Sequence, residues 1–587
     1  MAAVLGISCY YHDAAAALLI NGKVVAAAHE ERFTRKKHDE NFPVNAVKFC
    51  LDWAKLEPRE LTAVAFYDKP FLKFERILVT AIETWPKSSL AFVPAMRAWL
   101  TKKLWIKSLL MEELEGYGGE WYFPQHHLSH AASAFLVSPF DRAAILTMDG
   151  VGEWETATRG FGEGNRIILT DKIDFPDSLG LLYSAFTYYL GFKVNSAEYK
   201  VMGLAPYGKP KYVKTIKDNL IDIKPDGSFK MNMKYLAYPY ALKMTNANFD
   251  ELFGEPARPL GFKPTQTEMD IAASIQAVTD EVMVKAAKTL AREYKTDKLC
   301  MAGGVALNCV ANGKILTETP IKHLFIQPAA GDAGGAVGAA AYVYHTVISN
   351  QSSVNRNRKK WVWDTCFLGP EYSNQEILKL LKRYKVKYQV LPVKQLLNRV
   401  ADLIVDQQVV GWFQGRMEYG PRALGNRSIL ADARNPENQK RVNLKIKFRE
   451  SFRPFAPVVL EEAARDWFKL YWTDPYMLTV CPVKNNKIPS VTHVDKSARL
   501  QTVSRKQNPV YYDLIKTFGR KTGVPVLINT SYNQRGEPIV CTPEDALMSF
   551  LGTDIDYLVF NHKFILDKKD MPARLISRAR SRKFEPD

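Results

Sequence analysis

The stretch QHHLSHAASAF, Gln125 to Phe135, places three of the chain's 10 histidines within five positions. His126 and His130 stand four apart, so on a helix they share a face and can turn two ring nitrogens toward one ion. Two imidazoles do not complete a divalent site. The acidic residues best suited to join them sit at glycine-flanked positions, Asp149 in MDGVGEW and Asp332 in AAGDAGG. Glycine there leaves room for close approach by a metal or a phosphate. A mixed His/Asp set suits iron(II), zinc or manganese better than calcium or magnesium. Taken by itself the pair leaves an ordinary hydrogen-bonded arrangement open, and His127, three residues before His130, leaves the register open as well.

A second chemical signal lies far along the chain. Between Arg416 and Arg453 ten basic residues, Arg416, Arg422, Lys447, Arg449 and Arg453 among them, face four acids. Several sit inside GPRALGNRS and FRPFAP, among glycines, prolines and apolar residues. Such embedding predicts partly buried guanidinium forks that hold a phosphate or carboxylate bidentately. Gly415, Gly420 and Gly425 let backbone amides approach the same anion, and Ser531 and Asn533 in NTSYN add neutral donors. A small doubly charged phosphate ligand fits this inventory better than DNA, whose phosphate contacts spread along an extended face.

Elements must hold these groups. VLGISCYYHDAAAALLINGKVVAAAHEER reads as strand, polar loop at Tyr10 to Asp13, strand, Asn21-Gly22 turn and strand, since Asn-Gly between apolar runs marks a hairpin. AAILTMDGVGEWETATRGFGEGNRIILTD repeats the pattern, with a loop at Asp149 to Glu153 and a turn at Gly162 to Asn165. Two such units predict a duplicated α/β domain. Strand-to-loop junctions at KLCMAGGVALNCVANG and HLFIQPAAGDAGG add two more loops at the carboxyl ends of strands, where ligands collect in α/β folds. The polar stretch Ser349 to Lys360 predicts a domain boundary, dividing the chain into residues 1–350 and a second α/β domain over 361–587.

Composition sets the partners. The charge of +18 favours anionic ligands. Seven scattered cysteines without a CxxC pair exclude a disulfide framework and a thiolate zinc site, and point to a reducing cytoplasm. The N-terminus lacks a signal peptide's pattern, and no apolar run reaches membrane-spanning length. Arg76 to Leu110 comes nearest, but charges and the prolines Pro86 and Pro94 interrupt it, predicting two or three short amphipathic helices.

The order GISCYYHDAAAALLINGKVVAAAHEERFTRKKH, HHLSHAASAF, LTMDGVGEW, SLGLLYSAFTYYLGF, EYKVMGLAPYG, MAGGVALNCVANG and GDAGGAVGAA, followed by GRMEYGPRALGNRSIL, KIKFRESFRPFAP and INTSYNQRGEPIVCTPEDAL, resembles the O-carbamoyltransferases of the NodU and cephalosporin/tobramycin carbamoyltransferase family. The likeness covers nearly the whole chain. It implies an N-terminal actin/hexokinase-like domain, akin to the threonylcarbamoyl-transferring enzymes, and a C-terminal YrdC-like domain. It also implies His126, His130, Asp149 and Asp332 as ligands of iron(II) or another divalent transition metal, which settles the register against His127.

The same resemblance implies two half-reactions. In the C-terminal domain carbamoyl phosphate and ATP, with magnesium, form a carbamoyl-adenylate, and Arg416, Arg422, Lys447, Arg449, Arg453, Ser531 and Asn533 handle the phosphates. In the N-terminal cleft Gly303, Gly304 and Asn308 hold the nucleotide while a small-molecule hydroxyl is carbamoylated. That hydroxyl needs a base, and His12, oriented by Asp13 in YYHDA, is the candidate, because an imidazole near its free pKa can take the proton. FYDKPFLKFER and SLGLLYSAFTYYLGFKVNSAEYK are most similar to the subgroup acting on saxitoxin-type alkaloids. For a cationic acceptor Glu153, Glu155 and Glu198 are the natural partners. No nucleic-acid or membrane partner is expected, and a homodimer is compatible with the reading. A sugar-kinase-like reading leaves the histidines and the second half unexplained. A tRNA-modifying or nucleic-acid-binding protein is the alternative that the charge supports.

Overall fold

A computed structural model describes residues 1–261, 263–349, 361–450 and 452–584. The chain divides into two units, Met1–Glu30 with His38–Trp363, and Glu31–Lys37 with Asp364–Asp587. Residues 350–360, where the sequence reading placed its boundary, lie outside the described residues. Trp363 belongs with the first unit rather than the second, its N–H donating to the Val137 carbonyl (2.8 Å). The larger departure is Glu31–Lys37, which an apolar-pattern reading leaves in the first domain. Phe33 packs against a small apolar cluster that contains Met417, Ala423, Ile539 and Cys541. Arg35 donates to the carbonyls of Ile539 and Pro538 (both 2.8 Å).

The first unit contains two five-stranded sheets of one design. In the first, β1 (Ala3–Ser8), β2 (Ala15–Ile20), β3 (Lys23–His29), β4 (Ala63–Phe66) and β5 (Glu120–Tyr122) lie in the order β3-β2-β1-β4-β5. β1 pairs antiparallel with β2 and parallel with β4, and β4 pairs parallel with β5. The predicted turn is present, with Asn21 and Gly22 both at positive φ (49° and 82°), as a two-residue hairpin of the right twist requires.

The second sheet uses β6 (Arg142–Met148), β7 (Glu155–Glu163), β8 (Arg166–Asp174), β11 (Lys298–Ala302) and β12 (His323–Ile326), in the order β12-β11-β6-β7-β8. Between them β9 (Ile221–Ile223) and β10 (Phe229–Met231) form a separate two-stranded pair. Pairing senses match the first sheet, with β6 antiparallel to β7 and parallel to β11. The duplicated α/β arrangement expected from the two strand-loop-strand repeats is therefore present. One detail differs: β7 continues through Gly162, so the turn is shorter than Gly162 to Asn165. Gly162 faces a helix instead, where a Cβ would lie 2.4 Å from the Phe135 ring.

Each fifth strand leads into a helix, β5 into His126–Phe135 and β12 into Asp332–Tyr342. The second of these, DAGGAVGAAAY, is built of small residues because it is wedged between neighbours. A Cβ on Gly338 would meet the Ser129 carbonyl oxygen at 1.8 Å, and one on Gly6 of β1 would meet that of Ala336 at 1.8 Å. Between β4 and β5 the chain forms the helices Pro70–Glu83, Ser89–Thr101 and Ile106–Glu113. Pro94 lies inside the second of them rather than ending it, at the cost of one backbone hydrogen bond.

The second unit is also α/β. β13 (Gln389–Val390), β14 (Val410–Phe413), β15 (Arg427–Asp432), β16 (Ala456–Leu460), β19 (Gln501–Val503), β20 (Val526–Ser531), β21 (Tyr557–Phe560) and β22 (Phe564–Asp567) form one mixed sheet, while β17 (Val480–Pro482) and β18 (Ser497–Arg499) pair separately. Alternate residues feed two cores. Phe413, Ile429, Ile528 and Phe560 pack with Ile377, Leu547 and Phe550, whereas Val410, Trp412, Leu430 and Leu527 pack with Leu396, Ile404, Ile515 and Phe518. Strands covered on both faces read as continuous apolar runs, which is why VVGWF and PVLIN carry no polar alternation.

Candidate functional site

The helix His126–Phe135 brings His126 and His130 onto one face, and their Nε2 atoms lie 3.0 Å apart. Asp149, just past β6, places Oδ2 3.0 Å from Nε2 of His126 and 3.4 Å from that of His130. Asp332, first residue of its helix, places Oδ1 3.7 and 3.8 Å from the same nitrogens. One donor atom from each of the four residues lies within 4.8 Å of the others. His126 and His130 are buried, and the carboxylates are slightly more open. His127 points elsewhere, its Nδ1 2.6 Å from Thr147 Oγ1.

The chemistry of this donor set fits a divalent transition metal. Two facing imidazole nitrogens and two carboxylate oxygens repel pairwise unless a proton or cation lies among them. The titration directions express that conflict. Burial, reinforced by the Asp149 charge, pushes Asp332 up to about 7, and burial and His130 hold the His126 imidazole well below its usual range. A divalent ion between the four would offset both penalties, and neutral imidazole is the ligating form. Neighbouring groups fix the ligands. Asp149 Oδ1 accepts from the Gly304 N–H (2.9 Å), and Glu153 accepts from the backbone N–H of His126 (2.9 Å) and of Lys69 (2.8 Å). Glu153, offered by sequence as a partner for a cationic acceptor, is thus spent on the helix start. Glu198 likewise accepts from Ser184 Oγ and the Asn195 N–H (both 2.8 Å), and Glu155 pairs with Lys172.

Gly303 and Gly304 lie beside Met148 and Asp149, and Asn308 follows them at the start of the next helix. Gly303 has φ 93°, and a Cβ there would lie 2.1 Å from the Met148 carbonyl oxygen, so only glycine fits. Asn308 caps the helix Cys309–Glu318 by accepting from the Ala311 N–H (3.2 Å) and exchanges amide contacts with Gln276 (3.0 and 3.3 Å).

In the loop between β1 and β2, His12 Nδ1 lies 2.9 Å from Asp13 Oδ2. The other carboxylate oxygen is 2.8 Å from Nδ1 of His38, whose Nε2 is 3.0 Å from Ser196 Oγ. Sequence reasoning missed His38 and Ser196, because RKKHDE looks like a solvated charge run. Burial pulls the His12 imidazole down, but the Asp13 hydrogen bond and charge, with Asp332 beyond, outweigh it and carry it up to about 9. Asp13 is held well below the usual carboxylate range by the two histidines, against the pull of burial. Lys73 and Asp68, also unforeseen, form a buried ion pair (2.7 Å), and the Lys73 ammonium lies 3.4 Å from the Tyr11 ring centre.

In the second unit the cations divide by use. Arg427 is fully buried and donates to the carbonyls of Gln414, Gly415, Asn426 and Pro370 (2.6–3.1 Å) while lying 3.6 Å over the Phe413 ring. Arg416 donates to the carbonyls of Gly369 (3.2 Å) and Leu368. Embedding among glycines therefore marks loop-pinning arginines as readily as anion-binding ones. Arg422 is partly buried. Lys447, Arg449, Arg453, Ser531 and Asn533 do converge. The buried Lys447 ammonium donates to the carbonyls of Ser531 (2.7 Å) and Asn533 (2.9 Å), and contacts Ser531 Oγ (3.1 Å) and Asn533 Oδ1 (2.5 Å). Burial, then the charges of Arg449 and Arg453, push it well below the ordinary lysine range, and Lys37 adds to the effect. Arg449 donates to Asn443 Oδ1 (2.7 Å) and Arg453 stands 3.6 Å from Glu450. Cations crowded in this way favour an incoming anion.

Comparison with known proteins identifies the family of both halves. A family model described as Carbamoyltransferase N-terminus matches residues 3–341, and one described as Carbamoyltransferase C-terminus matches residues 401–568. An uncharacterized protein of Synechocystis is 49% identical over 619 residues, covering 100% of both chains. Nodulation protein NolNO of Sinorhizobium fredii is 36% identical over 575 residues, covering 96% of this chain and 80% of that one. Among solved structures, (R)-2-hydroxyglutaryl-CoA dehydratase component A of Acidaminococcus fermentans covers 59% of this chain and 98% of its own at 14% identity, with a TM-score of only 0.33, too distant to add to the topology. With both halves matched and relatives aligned along its whole length, the chain belongs to the carbamoyltransferase family that includes the nodulation proteins and is a carbamoyltransferase enzyme.

Proposed function

We propose that this carbamoyltransferase works in two stages, with the second unit, Glu31–Lys37 and Asp364–Asp587, making a carbamoyl-adenylate and the first unit passing its carbamoyl group to a hydroxyl of a small molecule. The observation that carries this reading is the contrast in charge between two constellations: a His/Asp set in the first unit, and cations gathered round a Ser/Asn turn in the second. The second suits phosphates, the first a polarised carbonyl. In the first stage carbamoyl phosphate is cleaved with one water, releasing orthophosphate, and the carbamate oxygen attacks the α-phosphorus of ATP, releasing pyrophosphate. Arg449 and Arg453 neutralise phosphate charge. Lys447 donates to Ser531 and Asn533 and holds that turn beside the phosphates.

In the second stage Gly303 and Gly304 leave space for the nucleotide and Asn308 flanks it. A divalent transition metal held by His126, His130, Asp149 and Asp332, iron(II) by family resemblance, would supply Lewis acidity toward the carbamoyl oxygen when bound. The acceptor hydroxyl attacks the carbonyl, the bond to AMP breaks, and the proton passes to His12 Nε2. Asp13 fixes the tautomer by accepting from Nδ1, leaving Nε2 with its lone pair once His12 is neutral. An assay with labelled carbamoyl phosphate, ATP and a panel of acceptors tests the reading, with saxitoxin-type alkaloids, aminoglycosides, cephalosporins and tRNA as separate arms. Carbamoyl phosphate-dependent ATP consumption with label in a small acceptor supports it, whereas label transfer only to tRNA, in a salt-sensitive complex, would replace it with the tRNA-modifying reading.

A further inference from the structure

The three helices between β4 and β5 carry exposed apolar side chains. On Ser89–Thr101, Leu90, Val93 and Leu100 are 88%, 68% and 55% exposed, while Trp99 is buried. With Arg97 they follow the i, i+3, i+7, i+10 spacing of one helical face. Trp85 and Trp105, 62% and 60% exposed, stand just before and just after that helix. One exposed leucine is ordinary on a soluble protein, but a gathered set marks an interaction surface. The exposed charges within it are basic: Lys87, Arg97, Lys102 and Lys107 stand between Thr84 and Met111 with no Asp or Glu among them, the half-buried Lys103 lies 4.6 Å from the Tyr11 ring, and Glu83, Glu112 and Glu113 stand at the two ends.

We propose that residues 84–111 dock this protein on an anionic lipid surface. Leu90, Val93 and Leu100 enter the boundary between headgroups and acyl chains, the two indoles lie at headgroup level, and Lys87, Arg97, Lys102 and Lys107 meet lipid phosphates. Long basic side chains suit this place because their stems tolerate apolar surroundings while the heads stay in water. Charge decides against a second copy of the chain as the occupant. A two-fold contact uses the same patch on both partners, so it would set Lys87, Arg97, Lys102 and Lys107 against their own images, with acids only at the ends of the patch. Length decides against insertion across a bilayer. The helix has 13 residues, about 20 Å at 1.5 Å per residue against a hydrocarbon core of about 30 Å. Among the described residues no helix is long and apolar enough to cross a membrane. The proposal is independent of the two-stage reading.

Flotation of the full chain with vesicles of phosphatidylglycerol and phosphatidylcholine in equal parts, against phosphatidylcholine alone, tests it. The bound fraction is expected to be at least about tenfold larger on the anionic vesicles and to fall as salt is raised. Two combined variants should each lose most of that binding while keeping the wild-type thermal melt: Leu90→Ser with Val93→Ser and Leu100→Ser, and Lys87→Glu with Arg97→Glu and Lys102→Glu. Equal binding to both vesicle types, no binding, or binding that survives both variants overturns the proposal. A wild-type dimer in light scattering that the serine variant turns into a monomer also overturns it, in favour of self-association.

Discussion

The two halves of the first unit share a topology and divide the chemistry. Each runs as an antiparallel hairpin pair, two parallel strands and a helix. The loop after the first strand carries His12 and Asp13 in one half and Asp149 in the other. The helix after the fifth strand begins with His126 in one and Asp332 in the other. Equivalent helix starts thus meet, one offering an imidazole and the other a carboxylate. A helix N-terminus favours anions and disfavours an imidazolium, so the same backbone field suits a charged Asp332 and a neutral His126, the two forms that ligate a metal. Duplication supplied the convergence, and substitution supplied the difference.

Breaking either helix start should have the largest effect. Asp332→Asn and His126→Ala should each lower transfer by about a thousandfold or more and reduce the metal content of the purified protein, while carbamoyl phosphate-dependent ATP–pyrophosphate exchange persists. Equal activity with equal metal would remove the site from the mechanism. His12→Asn, in the first half's loop, should cost about a hundred- to thousandfold in transfer and leave both metal content and exchange unchanged.

A pH profile sharpens the comparison further. His12 is cationic below about 9, and a base must be neutral, so kcat/KM should rise with pH toward that value. Asp13→Asn removes the charge that raises His12, so the limb should move to lower pH by a unit or more; an unmoved limb assigns it to another group. The linkage to stability has the matching sign. A raised folded pKa stabilises fully below the unfolded value near 6.5, and that contribution fades as pH climbs through about 9.

The contact between the two helices is open to test through Gly338, whose added Cβ would meet the Ser129 carbonyl at 1.8 Å. Gly338→Ala should destabilise by about 1–3 kcal/mol in denaturant unfolding and weaken metal binding, because the helices that carry His130 and Asp332 must part. Ser196→Ala, at the far end of the His38 chain, should have the smallest effect, a few-fold loss in kcat with a small shift in the pH limb, in keeping with about 0.5–1.5 kcal/mol for one hydrogen bond.

Local pattern made part of this legible. Asn21-Gly22, the two strand-loop-strand repeats and the HxxxH pair announce themselves because a turn, a strand period or a helical face is set by residues a few positions apart. The embedded arginines were misleading for the same reason. GPRALGNRS gives no local sign that Arg427 is spent on four carbonyls, since those acceptors lie in loops it reaches only after folding.

Local residue pattern was enough for the α/β class, the duplicated hairpins and the set of residues able to ligate a metal. Only the tertiary structure decided that His126, His130, Asp149 and Asp332 meet, that His38 shares Asp13 with His12, that Glu31–Lys37 belongs with the second unit, and that Leu90, Val93 and Leu100 stay on the outside. Each of these depends on contacts between residues distant in sequence. Burial and charge at such contacts are properties of the packed chain, which no local period encodes.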